Sequence, residues 1–132
     1  VMTRRELREQ IFRILFRIDF YPKEELSTQL LYPKDDTAEV SEADISYIQN
    51  KIFAVTERIE EIDTMINAVA KGWKTGRMGK VDLTLIRLAV YEMKYDEDIA
   101  TGVAINEAVE LAKKYGTDNS SSFVNGILAR IA

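Results

Sequence analysis

A chain of 132 residues is one domain's worth, enough to bury about two-thirds of the surface that its unfolded form would expose. Apolar residues make up 46% and charged residues 30%, which is the balance of a globular protein and not of a disordered one. The absence of histidine and cysteine excludes a disulfide scaffold, ordinary zinc sites, Ser-His and Cys-His nucleophile pairs, and the Glu-x-x-His ligands of ferritin-like di-iron bundles. What remains is carboxylate, lysine or Mg²⁺ chemistry, or no chemistry at all. No apolar stretch approaches the roughly 18 residues of a membrane span. The N-terminal arginines precede no hydrophobic run, and Glu6 and Glu9 among them argue against a mitochondrial presequence, so the cytosol is the expected compartment. Val1 ahead of Met2 reads as an addition to the natural start.

In chain order the periodicity is helical throughout, and an all-α bundle of about six to seven helices is expected. The first helix spans about 4–20, with Leu7, Ile11, Ile14, Leu15 and Ile18 on one stripe, and Pro22 ends it. Residues 23–32 read as a short helix with Leu26, Leu30 and Leu31 inward, and 33–40 as a polar, acidic loop. Ser41 with Asp44 is a capping-box-like start. From there Ile45, Ile48, Ile52, Val55, Ile59, Ile62, Ile66 and Val69 predict one long helix to about Ala70. Gly72, Gly76 and Gly79 around Trp73 break the pattern, placing a hinge between helical subdomains of about 3–71 and 80–132 within a single domain. Trp73 reads as a plug between them.

Three more helices follow, over about 81–95, 101–115 and 118–131. Gly116 is placed to stop the middle one, and Asp118 or Asn119 to cap the last. Asn125-Gly126 is a hairpin signal, but Phe123, Val124, Ile127, Leu128 and Ile131 sit at helical offsets. Gly126 is accordingly expected as a close-packing point inside a helix.

The net charge of −4 is unevenly spread. Acids dominate between Lys23 and Asp63, while cations gather at Arg4, Arg5, Arg8, Arg13 and Arg17 and again at Lys71, Lys74, Arg77, Lys80, Arg87 and Lys94. Such a bipolar surface can hold a phosphate backbone locally while the protein stays acidic. Arg8, Phe12 and Phe16 form an i, i+4, i+8 row beside Arg5, and aromatic side chains near arginines can stack bases while the guanidinium groups grip phosphates. The same spacing also fits phenylalanines that widen the buried face beneath solvated arginines, and spacing alone favours that reading. Ser120, Ser121 and Ser122 at a helix start offer N–H groups and hydroxyls to an anion, or serve simple capping. Asp82 in a first helical turn is suited to dipole compensation. Asn106, Glu107 and Glu110 read as a solvated helix edge and not as an acid pair. Gly72-Trp73-Lys74-Thr75 lacks the full phosphate-loop pattern.

Several runs in order carry a resemblance to a known family: Arg4-Arg5 with Arg8-Glu9, Trp73, 81–92, 103–112, Tyr115-Gly116-Thr117-Asp118 and 123–128. Together the chain resembles the NusB family of bacterial transcription antitermination factors. The likeness is specific from 81 to 128, good over 4–19, and carried only by helical period between 21 and 63. It implies a NusB-like fold and a non-enzymatic function, with no catalytic residue, metal or cofactor. Together with NusE, a small-subunit ribosomal protein, the chain would bind the boxA element of nascent ribosomal RNA transcripts and help the RNA polymerase antitermination complex resist termination. The resemblance assigns RNA contacts to Arg4, Arg5, Arg8, Asn119, Ser120, Ser121 and Phe123, and NusE contacts to Phe12, Phe16, Asp82 and Glu92. Many relatives carry a basic residue where this chain has Ser122, which removes one phosphate contact. Two alternatives stand beside this reading. One is a protein-interaction module or homodimer, in which the arginine helix pairs with itself. The other is the NusB-like part of a ribosomal RNA-modifying methyltransferase, which would need a Rossmann-like segment beyond Ala132.

Overall fold

The computed structural model describes residues 2–18, 40–72 and 74–132. Among them are six α-helices, one 3-10 turn and no strand: α1 (Arg4–Ile18), α2 (Glu42–Glu57), α3 (Ile59–Val69), the turn Thr75–Arg77, α4 (Lys80–Tyr95), α5 (Thr101–Tyr115) and α6 (Ser120–Ile131). The all-α expectation holds. The end of the first helix past Ile18, the short helix at 23–32, the loop at 33–39 and the Trp73 plug lie outside the described residues.

Two compact units divide the chain, Val1–Thr56 and Glu57–Ala132. The division falls earlier than the glycine-rich segment, because α3 packs against α4 and α6 and so belongs to the second unit.

In the first unit, α1 begins with a reciprocal capping box. The Thr3 N–H donates to Glu6 Oε1 at 2.8 Å and the Glu6 N–H to Thr3 Oγ1 at 3.1 Å, satisfying two donors that a helix start leaves open. Its stripe of Ile11, Ile14, Leu15 and Ile18 is buried as the spacing predicts. The α2 start is capped by Ser41, whose Oγ accepts from the Asp44 N–H at 3.1 Å. Asp44 is itself buried and its Oδ2 accepts from the Met2 N–H at 2.9 Å, tying the start of the chain to the first turn of α2. Ile48, Ile52 and Val55 continue the buried face.

The single helix expected from Ser41 to Ala70 is two. Arg58 leaves helical geometry at φ −111° and ψ 13°, and the Ile62 N–H restarts the ladder on its carbonyl. Just before the break the Thr56 hydroxyl donates to the Phe53 carbonyl, a local bond that competes with the helical one. The apolar period runs across this point undisturbed, which is why the sequence pattern hides it.

In the second unit α4 is the central element. Four consecutive positions, Leu83, Thr84, Leu85 and Ile86, are all buried, together with Leu88, Ala89, Val90 and Glu92, so the helix is covered on most sides. Each fully buried leucine or isoleucine contributes about 1.5–3 kcal/mol. The buried Thr84 hydroxyl donates to the Lys80 carbonyl at 2.7 Å. α5 lies against α4, α6 packs on both helices, and Ala104, Ala108 and Ala112, small residues one turn apart on α5, are buried. Arg87 of α4 clamps Asp63 of α3 with two bonds, Nε to Oδ1 at 2.9 Å and Nη2 to Oδ2 at 2.7 Å. After α3 the chain reverses at Gly72, whose φ of +81° is the left-handed conformation that a side chain would resist.

One glycine expectation is corrected and one holds for another reason. Gly126 lies in α6 and not in a hairpin, but a β-carbon there would meet nothing within 4 Å, so it is not a packing point. Gly116 does end α5, yet in extended and not left-handed backbone (φ −95°, ψ −166°). Its glycine is required by space: a β-carbon would lie 2.5 Å from Ser120 Cβ, 2.8 Å from the Ala112 carbonyl oxygen, and against Ser120 Oγ.

Candidate nucleic-acid interface

The residues expected to meet RNA fall into two groups, one in each compact unit. At the start of α1 the capping box fixes the first turn, and Arg4 and Arg5 project from it exposed. Arg8, one turn on, does not: it is 7% exposed and lies within the buried face. Phe12 is likewise buried at 2%, and it meets the half-buried Phe16 with ring centroids 6.1 Å apart and planes tilted by 41°. The Arg8–Phe12–Phe16 row is therefore the edge of the core and not an open stacking platform; spacing alone favoured this for the phenylalanines, but with Arg8 in solvent, where it is buried. Arg13 and Arg17 are exposed on the other side of the helix.

The second group is the turn between α5 and α6. The Ser120 Oγ accepts from the Thr117 N–H at 2.9 Å and lies 3.3 Å from Thr117 Oγ1, while the Ser120 N–H donates to the Thr117 carbonyl at 3.1 Å. Ser120 is 2% exposed, so it builds the turn and offers no surface of its own. The expected side-chain cap is absent: Asn119 occupies the cap position in helical geometry without a side-chain bond. Its amide and the Asp118 carboxylate are left exposed, with Ser121 and Phe123 half-buried beside them. Gly116 and Ser120 in contact are what make the turn this tight.

Of the expected partner residues on α4, Asp82 is half-buried in the first turn, whereas Glu92 is buried at 3%. Ten residues separate them, about 15 Å along a helix. Arg87, on the same helix, is paired with Asp63 of α3. Of the acidic row on α5, Glu107 is buried and Glu110 pairs with Lys113 at 3.0 Å.

Three features escaped sequence reasoning. Thr3-x-x-Glu6 was legible as a capping box, because the pattern stands in the sequence. Asn67 had no such signal: its Oδ1 accepts from the Thr75 N–H at 2.8 Å and its carbonyl from Lys74 Nζ at 2.8 Å, which fixes the loop after α3. On the outer side of α3 and α4, the Tyr95 hydroxyl donates to Glu61 Oε2 at 2.7 Å beneath the Arg58 guanidinium, 4.3 Å from the ring centroid. That bond to the Glu61 carboxylate, with burial next, raises the Tyr95 pKa above its ordinary 10.0.

Comparison with known proteins places this geometry. The NusB family model matches residues 5–132, nearly the whole chain. The chain belongs to the NusB family. The transcription antitermination protein NusB of Agathobacter rectalis is 50% identical over 131 residues, covering 99% of this chain and 100% of that protein. Among solved structures, T. maritima NusB superposes with a TM-score of 0.85 at 35% identity, covering 99% of this chain and 91% of that one. A structure of the antitermination factors NusB and NusE in complex with dsRNA matches with a TM-score of 0.77 at 27% identity, over 97% of this chain and 94% of that one. The NusB fold is thus established over both compact units. Among the described residues no helix is long and apolar enough to cross a membrane.

Proposed function

We propose that this protein is a non-enzymatic transcription antitermination factor of the cytoplasm. With NusE it binds boxA-type single-stranded RNA in nascent transcripts, ribosomal RNA among them, and helps RNA polymerase resist termination. The observation that carries this reading is the 50% identity, end to end, with a protein named for that role. A family member solved with NusE and RNA supports the two ligands.

The exposed Arg4 and Arg5 grip phosphates, with the Arg8 side chain behind them. Asn119, Ser121 and Phe123 line the strand, the amide and hydroxyl as hydrogen-bonding groups and the ring as a stacking surface, while Ser120 holds their turn in shape. The NusE contacts are Phe12 and Phe16 on α1 and Asp82 and Glu92 on α4, of which Phe12 and Glu92 are buried and act by holding their helix faces in shape. Transcription of a template carrying boxA ahead of a terminator tests the function. Readthrough rises when this protein and NusE are added together. Readthrough unchanged, with both proteins folded and present in excess, contradicts it.

A further inference from the structure

α1 carries five arginines against two glutamates, a net +3 in a chain whose net charge is −4. Its cations are all arginine, the side chain whose planar fork fits phosphate oxygens. Arg4, Arg5 and Arg8 are already given to RNA, which leaves Arg13 and Arg17. Both are exposed, and their i, i+4 spacing sets them about 6 Å apart along one side of the helix. Like charges at that spacing destabilise a helix. Arg17, in the last turn, complements the helix dipole, but Arg13 in mid-helix does not. Glu9 stands one turn before Arg13, a spacing at which carboxylate and guanidinium ordinarily pair. That pair is not made: among the described residues neither Arg13 nor Arg17 has a hydrogen bond or an ion pair. Glu6 is engaged in the capping box, where it accepts from the Thr3 N–H. Two guanidinium groups with five N–H donors each therefore face solvent side by side. Each follows a phenylalanine by one residue, Phe12 and Phe16, so the arginine side is turned about 100° round the helix from the aromatic edge.

We propose that Arg13 and Arg17 form a further RNA-backbone contact, which carries the strand from the start of α1 along the outer side of the helix. They take two phosphates of single-stranded RNA without reading bases, and they leave the aromatic edge to NusE. Eight residues separate Arg5 from Arg13, about 12 Å along the helix, so the strand that reaches Arg17 extends beyond the nucleotides held at Arg4 and Arg5. The inference rests on the RNA-binding reading above and lengthens the path of the same ligand.

The test compares the full chain with its Arg13→Gln, Arg17→Gln double variant. The probe is a single-stranded boxA RNA with flanks on both sides, titrated across a range of salt. Each phosphate that is no longer neutralised flattens the slope of log Kobs against log[salt] by about 0.7 for a single strand, so the double variant is expected to be flatter by about 1.4. Circular dichroism and the urea midpoint are expected to stay near those of wild type, since both side chains are exposed and unpaired. A Lys94→Gln, Arg130→Gln variant removes the same charge elsewhere and is expected to leave the slope in place. NusE pairing, followed by size-exclusion chromatography, is expected to survive in the double variant. A double variant with the wild-type slope overturns the proposal, as does equal flattening by the control variant. Loss of NusE pairing with an unchanged slope gives the two arginines to the protein partner and overturns it as well. Flattening by Arg4→Gln with Arg5→Gln but not by the double variant confines the RNA to the helix start, which overturns the proposal and leaves the RNA-binding reading standing. Failure of the wild-type chain to bind the probe overturns that reading itself.

Discussion

Replacing Gly116 by alanine puts one methyl group where the structure has no room for it. The backbone of Gly116 is extended, so alanine adopts it without strain and the cost is one of space alone. The new β-carbon lies 2.5 Å from Ser120 Cβ and 2.8 Å from the Ala112 carbonyl oxygen. Neither atom can yield alone, since Ala112 is inside α5 and Ser120 opens α6. Overpacking of this kind costs about 1–3 kcal/mol. Displacing the Ser120 hydroxyl also breaks its bond with the Thr117 N–H, worth about 1 kcal/mol net. A total near 3 kcal/mol lowers the Tm of a chain this size by about 10 °C. Equilibrium urea unfolding followed by circular dichroism measures the loss directly. Ser120→Ala alone removes the bond and costs about 1 kcal/mol. Ser120→Gly removes the opposing β-carbon, so Gly116→Ala costs less in that background than in the wild type, and the double-mutant cycle reads the difference. Gly126→Ala is the counterpart in open space and stabilises by about 0.5–1 kcal/mol. A Gly116→Ala protein within about 0.5 kcal/mol of wild type, a figure of the order of ordinary surface substitutions, refutes the reasoning. So does an undiminished cost beside Ser120→Gly.

Arg4→Gln with Arg5→Gln flattens the salt dependence of boxA binding by about 0.7 for each phosphate released and leaves the unfolding midpoint in place; an unchanged slope removes the α1 start from the interface. Asp82→Lys impairs complex formation with NusE in size-exclusion chromatography while the circular dichroism stays that of wild type, and an intact complex takes Asp82 off the docking surface. Asp63→Asn removes the carboxylate charge that the half-buried Arg87 clamps and destabilises by about 2 kcal/mol in urea unfolding; a change within experimental error makes the clamp incidental. Tyr95 ionises above the usual tyrosine range because its hydroxyl is held by Glu61, so its ultraviolet titration falls toward the ordinary value in Glu61→Gln. The sign follows: whatever stability the bond adds is present below pH 10 and is lost as pH rises through the raised value.

Much of the fold is legible because the helices of the second unit obey local rules. The boundaries of α5 coincide with those read from its pattern, and the run Leu83 to Val90 announces a helix buried on most sides. Legibility ends where distant segments decide the outcome. Whether Phe12 is stacking platform or core depends on what covers α1, which no spacing within α1 records. Arg87 pairs with a carboxylate 24 positions away, on another helix. Gly116 looked like an ordinary helix stop, and its reason is an atom four residues ahead. In the candidate interface Arg4, Arg5 and Asn119 are exposed, as residues that meet a ligand must be. Arg8, Ser120 and Glu92 prove to be buried, because polar side chains with partners can enter a core that a residue-type pattern assigns to solvent.

The most direct measurement is a filter-binding titration of labelled boxA RNA with this protein, with and without NusE, against a scrambled RNA of equal length. The account predicts tighter binding to boxA than to the scrambled strand, and a further gain when NusE is present. Equal binding to both RNAs, or a NusE-independent affinity, contradicts it.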